Sequence, residues 1–237
     1  IIIIFATYLK MKNLIYILLS ALISGFVTAQ IHEVGVFAGG SNYIGDVGST
    51  QYINPNAPAF GPLYKMNRSP RHAYRFSIST GNLSADDTKS NIPSRELRGF
   101  KMKNNVKEIS AGIEFNFFEY DLHNSRYAGT PYVFTGINFA VFDLMYIDQS
   151  KEAKDYNNGS TIAIPMVVGY KKNISAHWNL AAEIGVRYTF SDNLDGSNPE
   201  NGKYSINRFG NFNSNDWYVF SGLSLTYTFG KNPCFCD

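Results

Sequence analysis

Cysteine is almost missing from this chain. Its 237 residues hold two, Cys234 and Cys236, both in the C-terminal tail, so no Cys-x-x-Cys metal spacing exists. Histidine is scarce too: His32, His72, His123 and His177 are too far apart for a His-x-x-x-His ligand pair. Charged residues make up only 17% with a formal net of +2, too balanced a set for a nucleic-acid binder. Past the N-terminal region, no apolar run reaches the length of a membrane helix.

The chain is rich in aromatics, at 15% with Tyr and Phe dominant, and in glycine. They are arranged with a period of two. In Asn215–Phe229 every second residue from Trp217 to Phe229 forms a mostly apolar face, aromatic at its ends and aliphatic between. The other face turns small and polar. Alternation of this length means a strand, and a transmembrane strand needs about ten residues with aromatic girdles at both water boundaries. Seven further strands are expected: His32–Ala38, Ala59–Met66, Ala73–Thr80, Val106–Phe118, Tyr132–Leu144, Thr161–Tyr170 and Trp178–Phe190. Tyr132–Leu144 is apolar on both faces, which leaves its orientation open. Pro165 cannot donate a ladder hydrogen bond and predicts a bulge or local irregularity.

Connection lengths alternate. Long polar segments are expected at Gly39–Pro58, Gly81–Asn105, Met145–Ser160 and Ser191–Ser214, and shorter ones at Asn67–His72, Glu119–Pro131 and Lys171–His177. Short periplasmic turns and long outer loops are the habit of outer-membrane barrels. The pattern predicts an all-β, eight-stranded antiparallel up-and-down transmembrane β-barrel in the outer membrane, over residues 30–229, with both termini periplasmic. A lipocalin-like soluble barrel shares the periodicity. Aromatic strand ends and Gly/Ser-rich opposite faces favour the membrane form.

Residues 11–29 have the layout of a signal peptide: Lys12, the apolar stretch Leu14–Val27, and small residues at Val27-Thr28-Ala29. Residues 1–10 then precede the expected start at Met11, and 230–237 form a periplasmic tail. A retained membrane anchor is the alternative.

Ile31–Asp46 (IHEVGVFAGGSNYIGD), Ile53–Phe76 (INPNAPAFGPLYKMNRSPRHAYRF) and Lys107–Phe118 (KEISAGIEFNFF) resemble the PorG-type outer-membrane protein of the Bacteroidota type IX secretion system. The resemblance implies a non-enzymatic barrel tied to the periplasmic ring of the PorK lipoprotein and PorN, beside other type IX components and outer-membrane lipid. That machinery exports folded cargo and, in gliding bacteria, supports motility. No catalytic, cofactor or metal residues are implied.

Three groups of residues are candidates for function. Glu33, Lys65, Arg75, Glu114 and Glu183, with Glu108 and Arg187 farther from the periplasm, should point inward and form a salt-bridged plug, since buried charges must pair. Arg68, Arg71, Lys171 and Lys172 should line the periplasmic rim and attract an acidic partner. Cys234 and Cys236 could bond each other, stay free, or form a disulfide to a neighbour; by the resemblance that neighbour would be the PorK-type lipoprotein. Asp86-Asp87 and Asp192…Asp195 read as solvated turn residues. An adhesin acting through its outer loops, where Arg95, Arg98, Phe100, Lys101 and Lys103 lie, is the alternative function. An outer-membrane hydrolase is disfavoured, because all four histidines fall at the periplasmic ends.

Overall fold

A computed structural model describes residues 31–122, 129–211 and 213–230. The expected leader (11–29), the upstream extension, the tail cysteines and His123 lie outside these. Eight strands are present: β1 (Ile31–Ile44), β2 (Ala57–Asn67), β3 (His72–Asp86), β4 (Lys101–Asn116), β5 (Gly129–Ile147), β6 (Ala153–Asn173), β7 (Trp178–Thr189) and β8 (Trp217–Gly230). Each pairs antiparallel with its sequence neighbour, and β8 pairs with β1 from Ile31↔Gly230 to Ile44↔Trp217, closing the barrel. Closure leaves no free edge within the ring. The seam uses glycine where the two backbones approach closely. Gly39 faces Gly222, and a Cβ on Gly39 would sit 2.2 Å from the Ser221 carbonyl oxygen.

The barrel is apolar outside and polar inside. Val34, Val36, Ile78, Ile109, Ile113, Ile137, Ile162, Val168 and Leu223 all project outward and exposed. Aromatics flank them. Near the chain termini, His32 stacks between Tyr64 and Phe229, and Trp178 packs edge-on against Tyr227. At the opposite end Tyr188 packs against Phe190 and Trp217. This is the cross-section of a barrel that spans a bilayer with its strands. Among the described residues no helix is long and apolar enough to cross a membrane.

The strands run well past the apolar belt at the end away from the termini. There β5 reaches 19 residues and β6 reaches 21. Three connections at this loop end are accordingly shorter than expected, at 45–56, 87–100 and 148–152, while the fourth, 190–216, is slightly longer. The third is no long loop but a tight turn on a tall hairpin, with Lys151 in the left-handed region at φ 65. At the terminal end the turns 68–71 and 174–177 close tightly, through Arg68 N–H to the His72 carbonyl and Ile174 N–H to the Trp178 carbonyl.

Strand β5 owes its two apolar faces to two different surroundings. Val133, Ile137, Phe139 and Val141 face outward, while Phe134, Ala140, Phe142 and Leu144 face inward. Ala140, Phe142 and Leu144 belong to a core with Phe37, Leu83, Met102, Val106, Tyr218 and Phe220 that fills the half of the barrel toward the loop end, while Phe134 lies against Arg75. Pro165 produces a gap rather than a bulge: the β5–β6 ladder skips Gly136 and Ile137 opposite Pro165 and Ile164, and register is kept. The register shift lies higher, at Leu144/Met145.

Candidate functional site

The half of the lumen nearer the termini is packed with charge. Lys65 on β2, Arg75 on β3, Glu114 on β4, Lys171 on β6 and Glu183 on β7 all point inward from neighbouring depths. Glu114 Oε1 accepts from Lys171 Nζ at 2.6 Å and from Lys65 Nζ at 3.0 Å, while Lys65 Nζ lies 2.8 Å and Arg75 Nη1 3.7 Å from Oε2. Arg75 grips Glu183 with both terminal nitrogens, at 2.8 and 2.7 Å, and the Tyr132 hydroxyl donates to the same carboxylate. Charge-assisted bidentate pairs of this kind are the strong class of hydrogen bond. Glu33, fully buried, accepts instead from neutral donors: Asn67 at 2.9 Å, Asn179 at 3.2 Å and Thr226 at 2.6 Å.

A second cluster sits deeper toward the loop end. Glu108 receives Arg187 Nη2 at 3.0 Å, Asn138 at 2.7 Å and the Tyr218 hydroxyl at 2.6 Å. The Arg187 guanidinium also lies 4.4 Å from the Phe220 ring centre. The seven lumen residues expected from the sequence are thus brought together as two layers. The four inward glutamates Glu33, Glu108, Glu114 and Glu183 match four inward cations, Lys65, Arg75, Lys171 and Arg187.

Lys171 does not lie on the rim. It is 1% exposed and belongs to the lumen network, because Tyr170 faces lipid and strand alternation turns the next side chain inward. Lys172 faces outward and exposed, and Arg68 is exposed in its turn. Arg71 is partly engaged, donating to the Phe117 carbonyl at 3.0 Å and pairing with Glu119 at 3.4 Å. Among the described residues, Arg68 and Lys172 make no ion pair. In the connection expected at Glu119–Pro131, Tyr120 and Leu122 fold back and bury against Ile31. The Tyr120 hydroxyl donates to Asn179 at 2.9 Å, and Lys171 Nζ lies 4.8 Å from its ring centre.

The loop end corrects another expectation in part: Asp87 and Asp195 are buried, while Asp86, which caps Thr88 N–H, and Asp192 stay partly exposed. Asp87 is fully buried and accepts from Gly48 N–H at 2.7 Å, Phe100 N–H at 3.0 Å and Arg98 Nε at 2.7 Å. The Arg98 guanidinium lies 4.7 and 4.9 Å from the ring centres of Phe100 and Phe209, which pack edge to face on each other. Asp195 and Asp216 are buried without an ion pair among the described residues. Asp195 accepts from Asp46 N–H and Ser197 N–H, and Asp216 from Leu194 N–H and the Tyr43 hydroxyl. Burial, then the charge of Asp195, pushes Asp216 well above the usual carboxylate range. Half-buried Asp192 is pushed up to about 7 by burial and by Asp195 and Asp46. These contacts pin connection 190–216 over the barrel mouth, with Leu194 inserted into the core.

Among the described residues His32 Nδ1 lies 2.7 Å from the Tyr64 hydroxyl and His72 Nδ1 3.2 Å from Ser69 Oγ, both exposed at the terminal end. His32 stacks in the girdle, His72 packs against Phe115, and His177 against Tyr227. Among the described residues no three metal-ligating side chains converge.

The profile of the family described as "Domain of unknown function (DUF6089)" matches residues 11–237. No curated protein matches the chain. Among solved structures it is similar to Ail, the attachment invasion locus protein of Yersinia pestis, in complex with the heparin analogue sucrose octasulfate. Identity there is 9%, over 85% of this chain and 100% of that one, with a TM-score of 0.45. Neisserial surface protein A is 10% identical over 85% of this chain and 98% of its own, with a TM-score of 0.43. OprG from Pseudomonas aeruginosa is 10% identical over 86% and 97%, with a TM-score of 0.42. These likenesses concern the fold alone.

Proposed function

The chain belongs to the DUF6089 family, and from that premise we propose that it is a non-enzymatic outer-membrane barrel that anchors a periplasmic assembly. The resemblance to the PorG-type protein names the assembly: the PorK/PorN ring of the type IX secretion and gliding machinery. In this reading the terminal end is periplasmic.

The observation that carries the proposal is the charge-neutral lumen. A barrel whose four inward glutamates and four inward cations match in number, all held in hydrogen-bonded networks, is a poor conduit, so its function falls to its two ends. At the terminal end, Arg68 and Lys172 are exposed cations without ion pairs among the described residues, suited to an acidic partner. Arg68→Glu with Lys172→Glu is expected to reduce co-purification of the ring at least about tenfold while the barrel still inserts. Undiminished co-purification of the ring overturns the docking role of these residues.

Cys234 and Cys236 add a covalent candidate, a disulfide from the tail to the ring lipoprotein in an oxidising compartment. Non-reducing electrophoresis of envelopes is expected to show a heavier, reducible band that Cys234→Ser or Cys236→Ser removes. A wild-type monomer with intact secretion excludes the tether.

A second reading, binding through the outer loops, has one observation in its favour. Leu97 and Ile206 stand 85% and 91% exposed on the short helical segments Pro93–Arg98 and Gly202–Asn207, neither of which buries a residue. Deleting 93–98 should leave secretion intact under the anchor reading and abolish surface binding under this one.

A further inference from the structure

The hairpin β5–β6 stands taller than its neighbours, and this leaves a strand edge uncovered. The β6–β7 ladder ends at Ala163↔Thr189, with one further bond, from Phe190 N–H to the Ile162 carbonyl. On its other side β6 continues to pair with β5 up to Ile147↔Ala153. Residues from Ala153 to Thr161 therefore have a strand partner on one side only. Because Ile162 bonds toward β7, alternation aims the N–H and C=O of Ser160 and Asn158 at the open side. Neither makes a backbone bond there among the described residues.

The other tall edge of the same wall is closed off. On β3 the Asn82 carbonyl accepts from the Ser41 hydroxyl, and the Ser84 carbonyl accepts from Asn56 Nδ2 at 3.0 Å. The β6 edge has no such cover: Asn157, Asn158 and Ser160 are exposed. It is also held rigid from the mouth side. Tyr204 stacks on Tyr146 with ring centres 4.0 Å apart, and Glu200 N–H donates to the Tyr156 hydroxyl at 3.0 Å. An unpaired, pre-ordered strand edge is a template for another strand.

We propose that this β6 edge accepts an extended peptide segment of another polypeptide as an added antiparallel strand. The register shift at Leu144/Met145 and the charged pair Lys154–Asp148 mark the upper limit of the acceptor, which runs from Asn157 to Thr161. Side chains on this stretch are small and polar and line no apolar pocket, so recognition is through the backbone and tolerant of peptide sequence. The inference is independent of what docks at the terminal end.

The test is amide hydrogen exchange of the full barrel in lipid nanodiscs, with a short peptide alternating threonine and valine and carrying a lysine at each end. The peptide at millimolar concentration is expected to slow exchange at Ser160 and Asn158 at least about tenfold. Ser160→Pro and, separately, Asn158→Pro should abolish the effect and leave the strand signal in circular dichroism unchanged, because the lost N–H faces the open side. The same peptide N-methylated at alternate residues should give no protection, a control that does not depend on either variant folding. Absence of protection with the first peptide, or equal protection by the methylated one, overturns the proposal. A stable dimer of the barrel that Ser160→Pro dissolves also overturns it, by assigning the edge to a second copy of this chain.

Discussion

Glu114 is the residue on which the lumen depends most. It neutralises Lys65 and Lys171 at once and lies within reach of Arg75. Removing one partner of a buried pair leaves an uncompensated charge, at about 3–5 kcal/mol. Glu114→Gln strands two lysines and is expected to lose stability in that range by denaturant unfolding in lipid vesicles. Lys171→Met should lose less, since Glu114 keeps Lys65 and Arg75. Equal losses would mean that the two lysines do not share the carboxylate. Lys171 also shows where the sequence could have been read better. Its position beside a turn suggested the rim, but parity with Tyr170 puts it inside, on the same face as Asn173. The buried aspartates were not legible in this way. Asp216 is matched by Tyr43, 173 residues earlier in the chain, and no local pattern marks that contact.

Among the elements, the strand cores were plain and the strand ends were not. The alternation from Ile109 to Phe117 reads directly because lipid and lumen impose opposite chemistry on successive residues. Beyond the bilayer both faces meet water or loops, so Ala153–Ser160 carries a polar sequence that looks like a connection and is a strand. Connection 190–216 reads as solvated for the same reason, yet it is seated on buried carboxyl groups. Its hold should depend on pH. A carboxyl whose pKa is raised by folding binds its proton more tightly folded than unfolded, so its contribution is full at low pH and fades as pH rises through the folded value. With Asp192 pushed up to about 7, and Asp216 also raised by burial, the connection should loosen between about pH 5 and pH 8. Amide exchange of Leu194 and Ser197, corrected for the intrinsic effect of pH, should quicken over that range. Equal protection at both pH values would show that these carboxyl groups do not hold the loop.

At the scale of the whole molecule, the barrel is a plug with two worked ends. Charge fills the half nearer the termini, an apolar core fills the other, Tyr120 and Leu122 fold in at one mouth and connection 190–216 covers the opposite one. Such a body transmits position rather than solute, which is what an anchor requires. Single-channel recording of the purified barrel in a planar bilayer tests this most directly. The account predicts no sustained conductance at neutral pH, with at most brief, irregular openings. Large, steady, ohmic steps would show a continuous water path through the paired charges and would contradict it.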